Sequence, residues 1–436
     1  RDSDIYINID SLDYFNYKGK FNLNHFNVDL FKNKLGIKQV DGEINIEGKG
    51  IDILSFDTEI VGNLNYVNIA GKTYDDIVLN GRLQPNYFKG EAWVTDDDLE
   101  LDFSGEVDFS KDKPVMDFVA NVVEADLVKL NLYNNDTIAK LSSLIEINLK
   151  GNQWSNIEGE LGVYYTSLET SENHHYYNDI LFTSEKLKDK DILSLKSDFV
   201  TASFEGKIDV PNIFNSLLGY LNPHFPLLGG SSNYIQDFEF ELDFLNTSTL
   251  TKLMIPNFNF EQGTRFYGSF RNRGEGLNLS VESPGFSFGK YYFNNTNLNA
   301  LIREKDWTIN LLGDKCIYDD SAIIENISLN QLGSYGASNY VLNWESSDSI
   351  KFEGDLKGLV NMDNTSLKVV LDESQFYFAD TLWTLKDSSY FNYFNGKINS
   401  QATVSTLSQD VSFNFISNGI NDTVNLALNH FEMANI

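Results

Sequence analysis

Cysteine, proline, methionine and histidine are scarce in this sequence of 436 residues, which contains 1, 7, 4 and 5 of them, respectively. The single cysteine, Cys316, excludes an internal disulfide framework and any metal site built from several thiolates. Five histidines disfavour a histidine-rich metal site. The sequence contains neither Gly-x-Gly-x-x-Gly nor a phosphate-binding loop, and we therefore predict no cofactor and no metal.

Basic residues and long apolar runs are also in short supply. The chain has 33 Lys and Arg against 63 Asp and Glu, which gives a net charge of −30. This balance repels nucleic acids and anionic membrane surfaces. No apolar run approaches the roughly 18 residues of a membrane-spanning helix. The chain begins with Arg1 and has no signal-peptide pattern, so we expect a processed or excised piece of a longer polypeptide.

Apolar and polar residues alternate with a period of two through much of the chain. Leu99, Leu101 and Phe103 alternate with acidic residues, and the pattern returns over 238–244 and 411–415. Aromatic residues make up 14% of the sequence. Both features are typical of strands with one buried face, and short turns rich in Asn, Asp and Gly separate the runs. We predict an all-β antiparallel fold of about 30 to 35 strands.

Two segments instead carry leucine and isoleucine at the three- and four-residue spacing of a helix. They lie within residues 125–150 and 211–230. We expect a short helical insertion in each, the second opened and closed by proline. These insertions would divide the sheet into segments 1–124, 151–210 and 231–436.

Four short patterns resemble chemical sites, and each has a simpler explanation. Gly285–Gly289 matches Gly-x-Ser-x-Gly, but an aromatic strand rather than a helix is predicted to follow it. His174–His175 are more easily read as part of a polar loop over 169–178 than as metal ligands. Asp96–Asp98 and Asp319–Asp320 lack the order of a calcium loop and are predicted to form acidic turns. We therefore expect the protein not to be an enzyme.

The apolar face of so many strands must be buried against something. Three arrangements achieve this: a sandwich or barrel closed on itself, a stacked β-helix, or an open trough that holds an apolar ligand. In a closed fold the same side chains would pack against one another as an ordinary core, and the alternation alone does not distinguish that core from a trough.

Several runs resemble the TamB family, which belongs to the AsmA-like superfamily of bridge-like lipid transfer proteins. The resemblance is carried by Gly42–Gly48, 77–108 with its regularly placed glycines, 117–130, Lys351–Leu356, and Phe376–Trp383 with its Asp-x-x-Trp. It covers most of the chain through strand and turn patterns. The N-terminal membrane helix of the family is missing from this sequence, so the chain would correspond to a middle periplasmic segment.

The resemblance implies a long antiparallel sheet that curls into a taco-like hydrophobic groove. It implies a protein of the Gram-negative periplasm, anchored in the inner membrane in its full-length form, that carries phospholipid toward the outer membrane. It also implies an Omp85-family outer-membrane partner, bound through a region that we do not identify in these residues. No nucleic acid partner is expected.

Within this framework, the alternation predicts which side chains would line the groove and touch phospholipid acyl chains. They are Ile44, Ile46, Leu99, Leu101, Phe103, Val107, Phe109, Phe118, Phe240 and Phe413. An alternative is a scaffold or chaperone that presents strand edges for assembly of outer-membrane β-barrel proteins. A third class, a β-helix or sandwich acting on polysaccharide, would require a pair of carboxylates that the sequence does not place.

Overall fold

The structure is a computed structural model that describes residues 5–9, 15–27, 36–50, 55–69, 71–134, 136–171, 174–231, 233–246, 258–318, 321–346, 351–378, 380–419 and 421–430. The chain divides into two compact units: unit 1 comprises Arg1–Lys188 and Ile192–Asp198, and unit 2 comprises Asp189–Asp191 and Phe199–Ile436. About 71% of the residues lie in strands and 4% in helix, which confirms the predicted all-β class.

Unit 1 is a curled antiparallel sheet in which consecutive strands from β1 to β11 pair with one another. Its strands are β1 (Ile5–Ile9), β2 (Phe15–Asn27), β3 (Ile37–Lys49), β4 (Asp57–Ile69), β5 (Lys72–Gln84), β6 (Tyr87–Asp96), β7 (Leu99–Asp108), β8 (Val115–Asp126), β9 (Ala139–Lys150), β10 (Glu158–Thr170), β11 (His174–Lys186) and β12 (Asp191–Ser197).

Unit 2 contains the remaining strands and one α-helix. They are β13 (Val200–Lys207), α1 (Ile213–Leu221), β14 (Asp237–Phe244), β15 (Phe258–Phe260), β16 (Thr264–Arg271), β17 (Gly276–Phe288), β18 (Tyr291–Ile302), β19 (Trp307–Tyr318), β20 (Ser321–Ser334), β21 (Ala337–Glu345), β22 (Gly354–Met362), β23 (Ser366–Leu371), β24 (Ser374–Phe378), β25 (Thr381–Leu385), β26 (Tyr390–Phe394), β27 (Lys397–Ser405), β28 (Asp410–Ser417) and β29 (Asp422–Asn429). Short strands interrupt the simple order: β14 pairs with β16, β22 with both β23 and β24, and β27 with both β25 and β26.

The helix predicted within residues 125–150 is wrong. Residues 127–131 form only a hydrogen-bonded turn, and β9 occupies Ala139–Lys150. Leu141 and Leu144 are three residues apart, so in a strand they lie on opposite faces. Their register partners in β8 are Ala125 and Asn121. Leucine on both faces of a strand therefore imitated a helical period.

The helix predicted within 211–230 is confirmed as a shorter element. A 3₁₀ turn with Pro211 near its start leads into α1, which ends at Leu221, two residues before Pro223. A second 3₁₀ turn follows over Pro226–Leu228. The proline ring fixes the backbone angle φ and lacks an N–H donor, so it suits the first turn of a helix and stops an ongoing one.

A row of register interruptions crosses the sheet of unit 1. The pairing shifts between Leu23 and Phe26 in β2, between Val122 and Ala125 in β8, and between Tyr164 and Ser167 in β10. The residues that flank the interruptions on one side are register partners from strand to strand: Leu23, Gly42, Leu64, Ile77, Val94, Leu101, Val122 and Ser143. Because bulges bend and twist a strand, their alignment along one row curls the sheet there.

Glycine is required where strands of unit 1 approach closely. Gly81, Gly90 and Gly105 are successive register partners in β5, β6 and β7. A Cβ at Gly105, whose φ is +150°, would lie 2.4 Å from the Cα of Phe118 in β8. Only glycine accommodates both that backbone angle and that approach.

On the polar face of the sheet in each unit, charged side chains of adjacent strands form ion pairs. In unit 1, Arg82 donates two hydrogen bonds to Asp57, at 2.7 and 2.6 Å. In unit 2, Arg271 lies 3.2 Å from Asp237 and 2.8 Å from Glu239. Such exposed pairs stabilise little individually, yet they fix which face is solvated.

The Asp57–Arg82 pair makes a prediction about pH. Hydrogen bonding to Arg82 lowers the pKa of Asp57 from 3.8 to about 2. Since the folded-state pKa lies below the unfolded one, the stabilisation is fully present above about pH 5 and is lost as the pH falls through 2. Asp57→Asn is therefore expected to lower the urea midpoint at pH 6 and to match the unsubstituted protein near pH 2. A deficit that persisted unchanged at pH 2 would contradict this assignment.

Candidate functional site

The candidate site in unit 1 is the apolar face that carries Ile44, Leu79 and Phe103, which we call the inner face of unit 1. Register pairs continue it from β2 to β11, through rows such as Phe21, Ile44, Gly62, Leu79, Ala92, Phe103, Ala120, Ile145, Val163 and Ile180. Among the described residues of unit 1, no helix or second sheet covers this face. The side chains are instead shielded by their neighbours in the curl.

Burial on this face increases toward the row of bulges. Val40, Leu64, Val67 and Ile77 form a buried cluster beside the bulges. Partly buried side chains pack against this cluster: Leu23, Ile37, Ile44, Ile69, Tyr74, Leu79 and Val94. The most buried apolar side chains thus lie beside the row of bulges, while the neighbouring rows keep part of their apolar surface exposed.

The sequence-predicted lining residues of unit 1 occupy this face. Ile44, Ile46, Leu99, Leu101, Phe103, Val107 and Phe118 are all half-buried members of its strands. Phe109 is also half-buried but lies just beyond β7, where its N–H donates to the carbonyl oxygen of Asn86. The ring of Phe103 packs against the rings of Phe88 and Phe118, with centroids 6.1 and 5.0 Å away.

Unit 2 has its own apolar face, defined by Phe240 and Leu279 and called the inner face of unit 2. Of the two predicted lining residues in this unit, Phe240 is half-buried and packs 6.4 Å from Phe204. Phe413 lies in β28 opposite Ala402 and Leu426, and it is 39% exposed. Its face is therefore more open than that of the other predicted residues.

Sequence reasoning missed most of an aromatic cluster on the inner face of unit 2. Phe238 packs against Phe204 and Phe270, with ring centroids 5.9 and 6.0 Å apart. Farther along the strands, the rings of Phe244, Phe260 and Phe266 contact one another, and Phe286 lies against Phe260 and Phe293. The alternation over 238–244 was a usable signal for Phe238 and Phe244, but the partners lie on strands whose order the sequence does not reveal.

One end of the inner face of unit 2 is covered by residues 210–231 and 233–236, which we call the cap. The cap contains the 3₁₀ turns and α1. Tyr220 of the cap packs 5.6 Å from Phe270, and Phe225 packs 4.8 Å from Trp307. Phe270 and Trp307 are each only 2% exposed, so the cap closes this end of the face while the rows beyond it stay half-open.

Hydroxyl groups interrupt both inner faces and mostly satisfy one another. In unit 1 the Oγ of Ser143 lies 2.9 Å from Oγ1 of Thr166. In unit 2 the Oγ1 of Thr264 lies 2.7 Å from the Oγ of Ser283, and both are buried. Pairing removes most of the cost of placing hydroxyls in an apolar surface, so these faces remain effectively apolar.

The other sequence patterns fall into ordinary structural roles. Ser287 lies in β17 and is followed by β18, as the predicted aromatic strand requires. His174 and His175 lie at the start of β11 and not in a loop, and β10 extends to Thr170, so the predicted loop over 169–178 is wrong. Asp97 and Asp98 form the predicted acidic turn, while Asp319–Asp320 lie outside the described residues.

Two observations concern metal-binding and nucleophilic side chains in the described parts of the chain. No group of three or more His, Cys, Asp or Glu side chains there is arranged to hold a metal ion. Burial raises the pKa of the Cys316 thiol, which keeps it protonated and poorly nucleophilic at neutral pH.

A shallow pocket of about 500 Å³ lies on the opposite, polar side of unit 1. Its lining includes Glu106, Asp117, Glu146 and Glu160, with Lys89 as the basic residue, 3.2 Å from Glu106. This pocket could not be predicted from the sequence, because these lining residues are brought together by the register of five strands. Its acidic lining disfavours lipid phosphates, so we place the candidate site on the inner faces.

No helix among the described residues is long and apolar enough to cross a bilayer. Comparisons of this chain with protein-family models, with curated proteins and with solved structures find no match.

Proposed function

We propose that this protein is a non-enzymatic, bridge-like lipid conduit that holds phospholipid acyl chains against the inner faces of its sheets. In the full proposal it is a periplasmic segment of a TamB-like protein, tethered to the inner membrane and passing lipid to the outer membrane. The observation that carries the proposal is a continuous, half-exposed apolar face across ten strands of unit 1, with a similar face in unit 2.

The energetic argument concerns the cost of moving a lipid through water. Exposed acyl chains cost about 0.8 kcal/mol per CH₂, so one chain of about 16 carbons costs on the order of 13 kcal/mol. An apolar face that is only half-buried retains surface with which an acyl chain can be shielded. Because such contacts are non-directional and similar from strand to strand, a chain can move along the face without deep traps.

The arrangement of charge supports the same proposal. Acidic and basic side chains lie on the faces opposite the apolar rows, as for Asp57 and Arg82 in β4 and β5. A net charge of −30 keeps such a protein dispersed in water. Ion pairs between adjacent strands also penalise a register slip of one residue, which would turn the apolar rows outward.

The alternative function, a scaffold for assembly of outer-membrane β-barrels with an Omp85-type partner, is favoured by one observation. β29 pairs with β28 and with no other strand among the described residues. Val424, Leu426 and Leu428 of β29 are exposed, and Asp422 is its only charged residue. A nearly uncharged edge strand is suited to accepting a further strand by β-augmentation.

Native mass spectrometry with lipid extraction distinguishes the two functions. For the full chain purified from cells without detergent, the conduit predicts co-purifying phospholipid with intact acyl chains. Folded, monodisperse protein that carries no lipid and takes none up from vesicles would contradict the conduit and favour the scaffold.

A further inference from the structure

The cap is unlike the rest of the chain in its chemistry. Residues 210–236 contain no Asp, Glu, Lys or Arg, whereas charged residues make up 22% of the whole sequence. No ion pair between such side chains can therefore hold the cap to the sheet. Its attachment depends on ring contacts and a few hydrogen bonds.

Two of the hydrogen bonds that hold the cap on the sheet are long. The hydroxyl of Tyr220 donates to the carbonyl oxygen of Ile302 at 3.3 Å, and the N–H of Tyr335 donates to Nδ1 of His224 at 3.4 Å. The bond from Nε2 of His224 to the carbonyl oxygen of Arg303 is 2.7 Å. At the end of the cap, Asn272 donates to the carbonyl oxygen of Tyr234 at 2.6 Å and accepts from the N–H of Gln236 at 3.1 Å. Bonds beyond about 3.2 Å lie outside the usual range and are weak.

The last residue of the cap is bound tightly to Asp209, the residue that directly precedes the cap. The fully buried side chain of Gln236 accepts from the N–H of Asp209 at 3.1 Å and donates to the carbonyl oxygen of Asp209 at 3.0 Å. This pair closes the base of the cap, where the chain leaves the sheet and returns to it. Within the cap, Gly229 and Gly230 have φ values of +65° and +108°, a backbone conformation that glycine adopts without strain.

Beneath the cap, a buried donor has no acceptor. The indole Nε1 of Trp307 makes no hydrogen bond, although Trp307 is 98% buried and packs against Phe225. Leaving a buried N–H unpaired costs free energy, and the cap in its present position leaves the Trp307 N–H unpaired. A ligand with a carbonyl oxygen at this position would satisfy it.

We infer that the cap is a displaceable roof over an acyl-ester binding position on the inner face of unit 2. When it lifts, an acyl chain takes the place of Tyr220 and Phe225 against Phe270 and Trp307, and the ester carbonyl of the lipid accepts from the Trp307 indole. This inference rests on the proposed function, and it assigns to the cap the role of admitting or excluding lipid at this end of unit 2.

Fluorescence quenching by brominated lipid tests the position directly. The full chain is mixed with phosphatidylcholine vesicles whose acyl chains carry bromine, and bound lipid is counted separately by extraction. We expect a quenched component that is present in the unsubstituted protein and missing from Trp307→Phe. If lipid is bound but this component is absent, the binding position beneath the cap is contradicted and the lipid-conduit function is not. If no lipid is bound, the proposed function is contradicted, and this inference with it.

A variant of the cap tests the lifting step without removing the tryptophan. Tyr220→Phe loses one hydrogen bond but keeps the ring contact with Phe270, so quenching is expected to develop about five times faster. Tyr176→Phe, which alters an exposed tyrosine in unit 1, is the matched control and should leave the rate unchanged. An unaltered rate for Tyr220→Phe would overturn the role of the cap as a roof.

Discussion

Phe103→Asp is expected to strip phospholipid from unit 1, with an affinity at least about tenfold lower, because a carboxylate desolvated by an acyl chain costs several kcal/mol. Phe103 lies at the centre of the inner face, where its ring contacts Phe88 on one side and Phe118 on the other. The new charge would stand in the path of any chain that lies along this row.

The neighbouring residue offers a matched control. Ser104 is exposed on the opposite face of the same strand, so Ser104→Asp adds the same charge where no acyl chain would lie. Native mass spectrometry of both variants gives the bound lipid, and circular dichroism during thermal unfolding reports the fold. A folded Phe103→Asp protein with its full complement of lipid would contradict the proposed site; retained lipid in Ser104→Asp is the expected outcome.

Gly105→Val is expected to destabilise unit 1 by about 2–4 kcal/mol, through an unfavourable backbone angle and a collision with the next strand. The first Cβ atom would already lie 2.4 Å from the Cα of Phe118 and from the carbonyl oxygen of Asp117. Strand β8 would have to move away, which opens the curl at the point where Gly81, Gly90 and Gly105 meet. Urea denaturation measures the loss.

Gly274→Ala controls for the general effect of replacing glycine. Gly274 lies in the turn before β17, its φ is not positive, and the nearest atom to an added Cβ is 3.7 Å away. Its free energy of unfolding should change by no more than about 0.5 kcal/mol. Equal losses in Gly105→Val and Gly274→Ala would mean that the close strand approach at Gly105 has no special role.

The period of two predicted the strands, and which side chains of a strand share a face, for a clear physical reason. In β7, Leu99, Leu101 and Phe103 point to one face and Glu100 and Asp102 to the other, and the structure reproduces this alternation in burial. Since the alternation is a local property of each strand, it requires no knowledge of which strands are neighbours.

The bulges and the cap contacts were beyond such reasoning. His25, Asp76 and Tyr165 adopt positive φ values without glycine, so their bends have no compositional signature. Tyr220 reaches the carbonyl oxygen of Ile302 across 82 residues of chain. Both features depend on how the strands assemble, which the sequence of one strand does not reveal. Local spacing also misleads where both faces of a strand carry leucine, as Leu141 and Leu144 show.

The pairing of strands with their chain neighbours has a consequence for how unit 1 folds and varies in length. Among the described residues, β4 pairs only with β3 and β5, and β7 only with β6 and β8. Stability is then close to a sum of nearest-neighbour terms, folding can begin at any hairpin, and rates should be high because loop closures are short. Removing an adjacent strand pair such as β5–β6 would preserve the direction of β4 and β7, so the sheet is an array whose length is adjustable in units of one hairpin.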